Sequence, residues 1–528
     1  LKVLVTDPLS AEGMEILDQE TEVTTNFCEN PEELLEIISE FDALIVRSGT
    51  KVPAEVIDAG VNLKVIGRAG VGVDNIDVRR ATEKGIMVIN TPESNTISAA
   101  EHTIALLTSL SRNVAKASAS VKKGEWKRGH FLGVELYEKT LGIIGLGKIG
   151  IEVARRCRAM GMNLLGYDPY VPPEQVEKIG VKMVSLEDLL QQSDFITLHL
   201  PLVNSTHHII GEKELAQMKD GVRIINCARG GLIDEQALCN AIDEGKVAGA
   251  ALDVVETDPP YECPLIKQEN VVLTPHLGAS TREAQVNVAI QVANQVLRAL
   301  RGEPVDYAVN VPVLMPEVLE EVKPFLSLMR MLGSLYMQFF GGTVEELEIH
   351  YSGEIAAKPL KPLTTSCLIG LLQVMVGDQV NYVNAPYLAK NRGLRVKEMS
   401  TATSENFSSL ITLYVKTAGK NNIIAGTLFH DNDVRIVQIG DYRIEVVPSQ
   451  FMLVCKYEDK PGVIGQVASI LGTRNINIAS MQVGRQSIGG EALMVLQVDD
   501  PVPANIMEKL KEIDSINEVK FVELAERD

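Results

Sequence analysis

The chain has 528 residues, 45% hydrophobic and 23% charged, with a formal net charge of −20; that length exceeds what one core supports and points to three or four domains. The acidity excludes nucleic acid as a main partner, because a phosphate backbone needs basic surface. The longest apolar run, around 367–376, falls short of the ~20 residues that span a bilayer, and the scattered cysteines form no Cys-x-x-Cys pair, so no metal site is expected.

The first residues, Leu1-Lys2-Val3-Leu4-Val5, read as a strand rather than a secretory leader, and the expectation is a cytoplasmic protein. Strand-like runs at 2–6, 43–47, 63–67 and 87–89 alternate with helical stretches such as 32–38. This alternation predicts a parallel α/β sheet. A single long helix is predicted over 97–120, with Ala99, Ala100, Ile104 and Leu107 on its packing face.

Next come an apolar strand (140–144), the turn Gly145-Leu146-Gly147-Lys148-Ile149-Gly150, an amphipathic stretch (151–160), a second strand (163–167) and Asp168. Strand, glycine turn, helix, strand and acid in this order form a dinucleotide-binding βαβ unit. Gly145 permits the tight turn, Gly147 the approach of a pyrophosphate, and Gly150 close helix packing. The helix N-terminus supplies free N–H groups to the phosphates. Asp168 accepts from ribose hydroxyls and repels a phosphate there, which favours NAD over NADP.

Further strand-like runs lie at 195–198, 223–226, 249–252 and 271–273, and a long helix at 281–301. Three of those strands run into Asn226-Cys227-Ala228-Arg229-Gly230-Gly231, Asp253-Val254-Val255-Glu256-Thr257-Asp258-Pro259-Pro260 and Thr274-Pro275-His276-Leu277-Gly278-Ala279-Ser280. Ligands bind at the carboxyl ends of strands in open α/β sheets. A hydride enzyme for a 2-hydroxy acid needs this set. Arg229 suits a carboxylate and a polarised C2 oxygen, His276 suits the hydroxyl proton, and a carboxylate would orient the ring.

Beyond about 310, Pro312, Pro316 and Pro324 read as a linker. A mixed region follows, with strands at 344–351, 410–417, 423–428 and 434–439 and a helix at 363–376. The last unit reads strand, helix, strand, strand, helix, strand, a ferredoxin-like βαββαβ order. The fold class is therefore α/β: two Rossmann-like parallel-sheet domains, an α+β intervening domain and a ferredoxin-like module. The expected domains are 1–95 (completed by 284–310), 96–283, 311–449 and 450–528.

The sequence resembles the D-2-hydroxyacid dehydrogenase family, and within it the long-form members that end in an ACT module. The strings that carry this are Ile45-Val46-Arg47-Ser48, Gly67-Arg68-Ala69-Gly70, Gly72-Val73-Asp74-Asn75, the 145–150 turn, Asn226 to Gly230 and Pro275 to Ala279. The resemblance implies oxidation of 3-phospho-D-glycerate with NAD, feedback by L-serine, and a homotetramer. A glyoxylate or hydroxypyruvate reductase, or an NAD-sensing interaction protein, is the alternative.

By the same resemblance, Arg229 and His276 match the family's catalytic arginine and histidine. Its glutamate position, five residues after Asp253, holds Asp258, with Glu256 two residues earlier; Asp258 is the expected partner of His276. Asp168 is expected on the adenosine ribose and Asp253 on the nicotinamide carboxamide. Lys148 and Ile149 would give backbone contacts to pyrophosphate, Thr206, Cys227 and Ala228 would line the cleft, and Gly278 would face the nicotinamide. Arg229 and His276 also border the cofactor. Val71 stands where relatives can carry a hydroxyl.

For the substrate phosphate the candidates are Arg47, then Arg68 and Asn95. Arg128, in a basic segment beside the only tryptophan, Trp126, is expected to reach a partner subunit's site. Tyr457, Asp459 and Asn477 match a serine-binding pattern of ACT modules.

Overall fold

Short buried strands alternating with amphipathic helices build two parallel sheets in the first half of the chain. The computed structural model describes residues 1–27, 31–257, 259–312, 316–429 and 433–524. The first sheet holds β1 (Lys2–Val5), β2 (Glu22–Thr25), β3 (Ala43–Val46), β4 (Val65–Arg68) and β5 (Met87–Ile89), in the order β2-β1-β3-β4-β5. Every pair is parallel. β3 is buried at each position, as a strand covered on both faces must be. The helix Arg282–Leu300 returns to close one face. An added Cβ on Gly67 would lie 2.7 Å from Val296 Cγ2, so the glycine is what lets helix and sheet approach.

The second sheet holds β6 (Thr140–Ile144), β7 (Asn163–Tyr167), β8 (Val181–Met183), β9 (Phe195–Leu198), β10 (Val222–Asn226), β11 (Val247–Leu252) and β12 (Val271–Leu273). Its order is β12-β11-β10-β9-β6-β7-β8, again parallel. The strand order reverses between β6 and β9, which opens a crevice at their carboxyl ends.

The single helix expected over 97–120 is two helices, Thr96–Ser111 and Val114–Lys122. Asn113 breaks it with φ 53 and donates from Nδ2 to Leu132 O at 3.2 Å. Asparagine tolerates this left-handed backbone, and apolar periodicity does not register it.

The third sheet holds β13 (Val344–Gly353), β14 (Arg395–Thr401), β15 (Ser409–Thr417), β16 (Lys420–Phe429), β17 (Asp433–Ile439) and β18 (Tyr442–Val446), in the order β14-β13-β15-β16-β17-β18. Only the β13–β14 pair is parallel. The fourth holds β19 (Phe451–Glu458), β20 (Ile478–Arg485), β21 (Glu491–Val498) and β22 (Ile516–Glu523), antiparallel in the order β20-β21-β19-β22. The helices Val463–Gly472 and Ala504–Lys511 complete the βαββαβ order read from the sequence.

The stretch read as a linker is instead a 24-residue helix, Pro316–Phe339, with Pro324 inside it. Pro316 occupies the first helical position, where no N–H is needed. Pro324 forfeits one backbone bond, and packing offsets the loss. Leu328, Leu332 and Tyr336 are fully buried or nearly so, and the helix crosses Leu360–Val376 backbone to backbone. An added Cβ on Gly333 would lie 2.3 Å from Cys367 O, and one on Gly370 would lie 2.0 Å from Arg330 O. The same helix also covers one face of the fourth sheet. Met452, Val454, Leu493 and Val522 join Leu328 and Leu332 in one continuous core.

The intervening region also touches the first sheet's layer. The helix Val78–Lys84 ends at Gly85, in a left-handed conformation, whose carbonyl accepts from Asn381 Nδ2 at 2.9 Å. Tyr387 hydrogen-bonds Glu83 on the same helix. No helix among the described residues is long and apolar enough to cross a membrane.

Candidate active site

The glycine turn follows β6 at the crevice. Gly145 has φ 95, and an added Cβ would lie 2.5 Å from His199 O. At Gly150 it would lie 2.1 Å from Gly145 O. These two glycines are demanded by the fold itself. Gly147 is different: it is exposed, and nothing stands within 4 Å of an added Cβ. Packing does not require a glycine there, whereas a ligand pressed against the backbone does. Gly147 caps the helix Lys148–Ala159 without any side-chain cap bond, so the first amides of Lys148 and Ile149 point into the crevice region uncapped. Lys148 is ion-paired with Glu93. Asp168, just past β7, accepts from Leu146 N and Tyr170 N, both at 2.9 Å, which fixes its carboxylate beside the turn. Thr206 is occupied locally, donating to Pro201 O at 2.6 Å and accepting from Val203 N at 2.9 Å.

Across the crevice, Asp253 organises the histidine loop. It is 1% exposed. Its Oδ1 accepts from Thr274 Oγ1 (2.6 Å), Leu277 N (2.7 Å) and His102 Nε2 (3.1 Å), and its Oδ2 from Gly278 N (2.7 Å). Burial alone would raise its pKa. Hydrogen bonds from His102, Thr274 and the Leu277 amide outweigh that and hold the carboxyl below the usual range. A depressed carboxyl stabilises the fold above its unfolded pKa and loses that contribution as pH falls through the folded value. The melting-temperature gap between wild type and Asp253→Asn is therefore expected to be widest near neutral pH. It should narrow on acidification below about pH 4, as read by calorimetry.

His276 is exposed, with φ 55, and its amide donates to Asp253 O and Thr274 O, both at 3.0 Å. Its expected carboxylate partner, Asp258, lies outside the described residues. Glu256 is committed elsewhere, with Oε1 2.7 Å from His208 Nε2.

The loop after β10 is braced by Asn226, whose Oδ1 accepts from Ala228 N at 3.0 Å and whose Nδ2 donates to Arg229 O at 2.8 Å. Burial pushes the Cys227 thiol up to about 12. Such a thiol is a packing group, and Cys227 is expected to resist iodoacetamide at about pH 8 in the native protein, as read by peptide mass spectrometry.

Arg229 pairs with Asp74 (Nε to Oδ2, 3.3 Å) and donates from Nη1 to Ala228 O at 2.7 Å. Its Nη2 lies over Gly72, where an added Cβ would stand 2.4 Å away. Arg68 is the third member of a cationic group. Burial, then the charges of Arg229 and Arg47, push its guanidinium down to about 10. Its Nε is buried without a partner. Arg47 is anchored by its own backbone to Asp7 (2.7 Å) and by Nη1 to Pro8 O (3.3 Å). Asn95, at the start of the helix Thr96–Ser111, has a buried Oδ1 without a partner. Three guanidinium groups in one field, with an unsatisfied donor, suit an anion with more than one charged end.

Comparison with known proteins agrees with this geometry. Residues 104–278 match the D-isomer specific 2-hydroxyacid dehydrogenase NAD binding domain, 321–440 the D-3-phosphoglycerate dehydrogenase intervening domain, and 451–515 the ACT domain. D-3-phosphoglycerate dehydrogenase of Methanocaldococcus jannaschii is 47% identical over 99% of this chain and 100% of its own length. The Synechocystis enzyme of that name is 45% identical over 99% and 95%. The chain belongs to the D-3-phosphoglycerate dehydrogenase family. A crystal structure of D-lactate dehydrogenase from Aquifex aeolicus, complexed with NAD and lactic acid, is similar over 57% of this chain and 96% of its own, with 30% identity and a TM-score of 0.53. This member of the phosphoglycerate dehydrogenase family is an NAD-dependent oxidoreductase, and the open space at Gly147, the uncapped helix and Asp168 fit that cofactor.

The remaining residues that the resemblance points to lie away from this crevice. Arg128 stacks over Trp126 at 5.8 Å on an exposed segment, and no described contact links it to the other arginines. In the ACT module, the buried Tyr457 hydroxyl has no hydrogen-bond partner. Asp459 accepts from Arg485 Nη1 at 3.2 Å, while Asn477 donates to Asp499 at 2.7 Å. Arg485 ends β20 and Asn477 precedes its start, so Asp459 and Asn477 sit at opposite ends of an eight-residue strand. One module does not bring them together. Asp74 and Asn226 stand in the quoted strings without a role of their own, and His102 stands in none. The Asx turn after β10 gave a local cue for Asn226, but the others act only through tertiary contact.

Proposed function

We propose that the protein oxidises 3-phospho-D-glycerate to 3-phosphohydroxypyruvate with NAD+, the entry to L-serine synthesis. The observation that carries this is the Arg47–Arg68–Arg229 group beside the nicotinamide-type crevice. A substrate with a carboxylate at one end and a phosphate at the other has a cation for each. Arg229 holds the carboxylate and polarises the C2 oxygen. Arg47 and Arg68, with Asn95, hold the phosphate. His276 takes the C2 hydroxyl proton, with Asp258 as its supporting carboxylate. NAD would supply the hydride acceptor for C2. Asp168 holds the adenosine ribose, the amides of Lys148 and Ile149 the pyrophosphate, and the free capacity of Asp253 Oδ2 the carboxamide; Thr206, Cys227, Ala228 and Gly278 line the cleft.

L-Serine as feedback effector is part of the same reading. Asp459 and Asn477 are separated by roughly 25 Å of extended strand, so one ligand needs Asp459 and Tyr457 of one module and Asn477 of a second copy. The exposed Trp126 (74%) and Leu132 (90%) support further pairing, with Arg128 carried toward a neighbour's site, in a homotetramer. Free cysteines fit a cytoplasmic setting.

The test is NADH formation from 3-phospho-D-glycerate and from unphosphorylated D-glycerate, each with and without L-serine. Losing the charge-assisted phosphate contacts is expected to lower kcat/KM roughly 10²-fold. Equal rates on both substrates would overturn the substrate assignment. Rates indifferent to serine would leave the chemistry and remove the effector.

A further inference from the structure

His102 stands outside the residues assigned above. It lies on the helix Thr96–Ser111, whose buried residues are Ala99, Ala100, Leu106, Leu107 and Leu110 of the apolar core, with Thr103 and Ser111 bonded to their own helix. Its Nε2 stands 3.1 Å from Asp253 Oδ1 and 3.2 Å from Thr274 Oγ1. Thr274 gives its own hydroxyl proton to Asp253 at 2.6 Å. The carboxylate can therefore only accept from His102, which fixes the proton on Nε2.

Asp253 is the post around which the segment 274–278 is wound. Its side chain takes the amides of Leu277 and Gly278, and its carbonyl takes the amide of His276. His276 is thereby kept at φ 55, a conformation that costs a non-glycine residue about 1–3 kcal/mol and persists only where the surroundings over-determine it. Thr274, Leu277 and Gly278 belong to the wound segment itself. Among the described residues, His102 is the one side chain outside that segment that holds the Asp253 carboxylate. Backbone bonds still tie the segment to β11, Thr274 N to Leu252 O and His276 N to Asp253 O, but without His102 the carboxylate loses its one side-chain brace from outside the segment.

We infer that His102 is a positioning residue for the dehydrogenase reaction: through Asp253 it sets where the His276 imidazole stands over C2. It does not touch substrate. The inference rests on the reading of His276 as the base, and a displacement of even about 1 Å at such a group can cost about 10²-fold in rate.

The experiment compares His102→Phe, His102→Gln and His276→Ala in the full-length enzyme. Phenylalanine keeps the ring volume and removes the donor; glutamine presents an amide N–H near the position of Nε2. The expected result is a kcat about 10- to 100-fold lower for His102→Phe. KM for 3-phospho-D-glycerate should stay within about threefold, and NADH affinity by fluorescence titration, which draws on the glycine turn and Asp168 as well as on Asp253, should fall by much less than the rate. His102→Gln should recover most of the rate. A residue that serves only to fill space predicts the opposite order, with Phe near wild type and Gln impaired. That order, or a loss of NADH affinity in parallel with rate, overturns the inference. An active His276→Ala overturns the underlying reading instead, so the two failures are separable.

Discussion

Replacing His276 by alanine is expected to lower kcat with 3-phospho-D-glycerate by about 10²–10⁴-fold, the span that a positioned general base supplies. NADH should still bind, because no contact of the glycine turn or of Asp168 passes through the imidazole. The loop should also survive. Its winding around Asp253 uses the His276 backbone and the amides of Leu277 and Gly278, none of which the substitution removes. The measurement is steady-state NADH formation alongside a fluorescence titration of NADH. A variant with normal NADH affinity and activity within about tenfold of wild type would take the base away from His276. A variant that loses both has lost the loop, and His276→Asn, which suits a left-handed backbone, then separates conformation from chemistry.

The two kinds of residue in this site differed in how visible they were beforehand. Gly145 and Gly150 were legible because a turn and a close helix crossing leave local signatures, and the structure shows carbonyls where their Cβ atoms would be. Strand ends carrying Arg229 and His276 were legible for the same local reason. His102 was not: on a helix of small and apolar residues, a single histidine looks like any half-exposed polar side chain until Asp253 and Thr274, more than 150 positions away, are brought to it. Arg68 was only a weak candidate, since its value lies in burial and in the neighbouring charges of Arg229 and Arg47. The helix Pro316–Phe339 reads as a linker because proline propensity is a local rule, and the core shared with the third and fourth sheets overrides it. Asn113 is the opposite case, a local break inside a stretch whose apolar spacing runs on.

Gly147→Ala and Gly150→Ala should fail in different ways, and the contrast separates what the fold needs from what the cofactor needs. At Gly150 the new methyl would sit 2.1 Å from Gly145 O. A backbone carbonyl cannot swing aside as a side chain does, and Gly145 is itself held at φ 95. Overpacking of this kind costs about 1–3 kcal/mol, occasionally more. The expected result is a lower melting temperature without NAD, with cofactor affinity falling as the turn distorts. At Gly147 the methyl meets nothing within 4 Å, and φ is −68, which alanine adopts freely. Losing a tolerated cap residue and stiffening the unfolded chain nearly offset, so stability should stay within about 1 kcal/mol. The methyl points instead into the space a pyrophosphate would fill. Converting the same overpacking cost to affinity raises the Kd for NADH roughly 10–100-fold. Calorimetry of the two variants without and with NADH checks both. Loss of stability at Gly147→Ala, or unchanged NADH affinity there, would mean that the pyrophosphate does not lie against this turn.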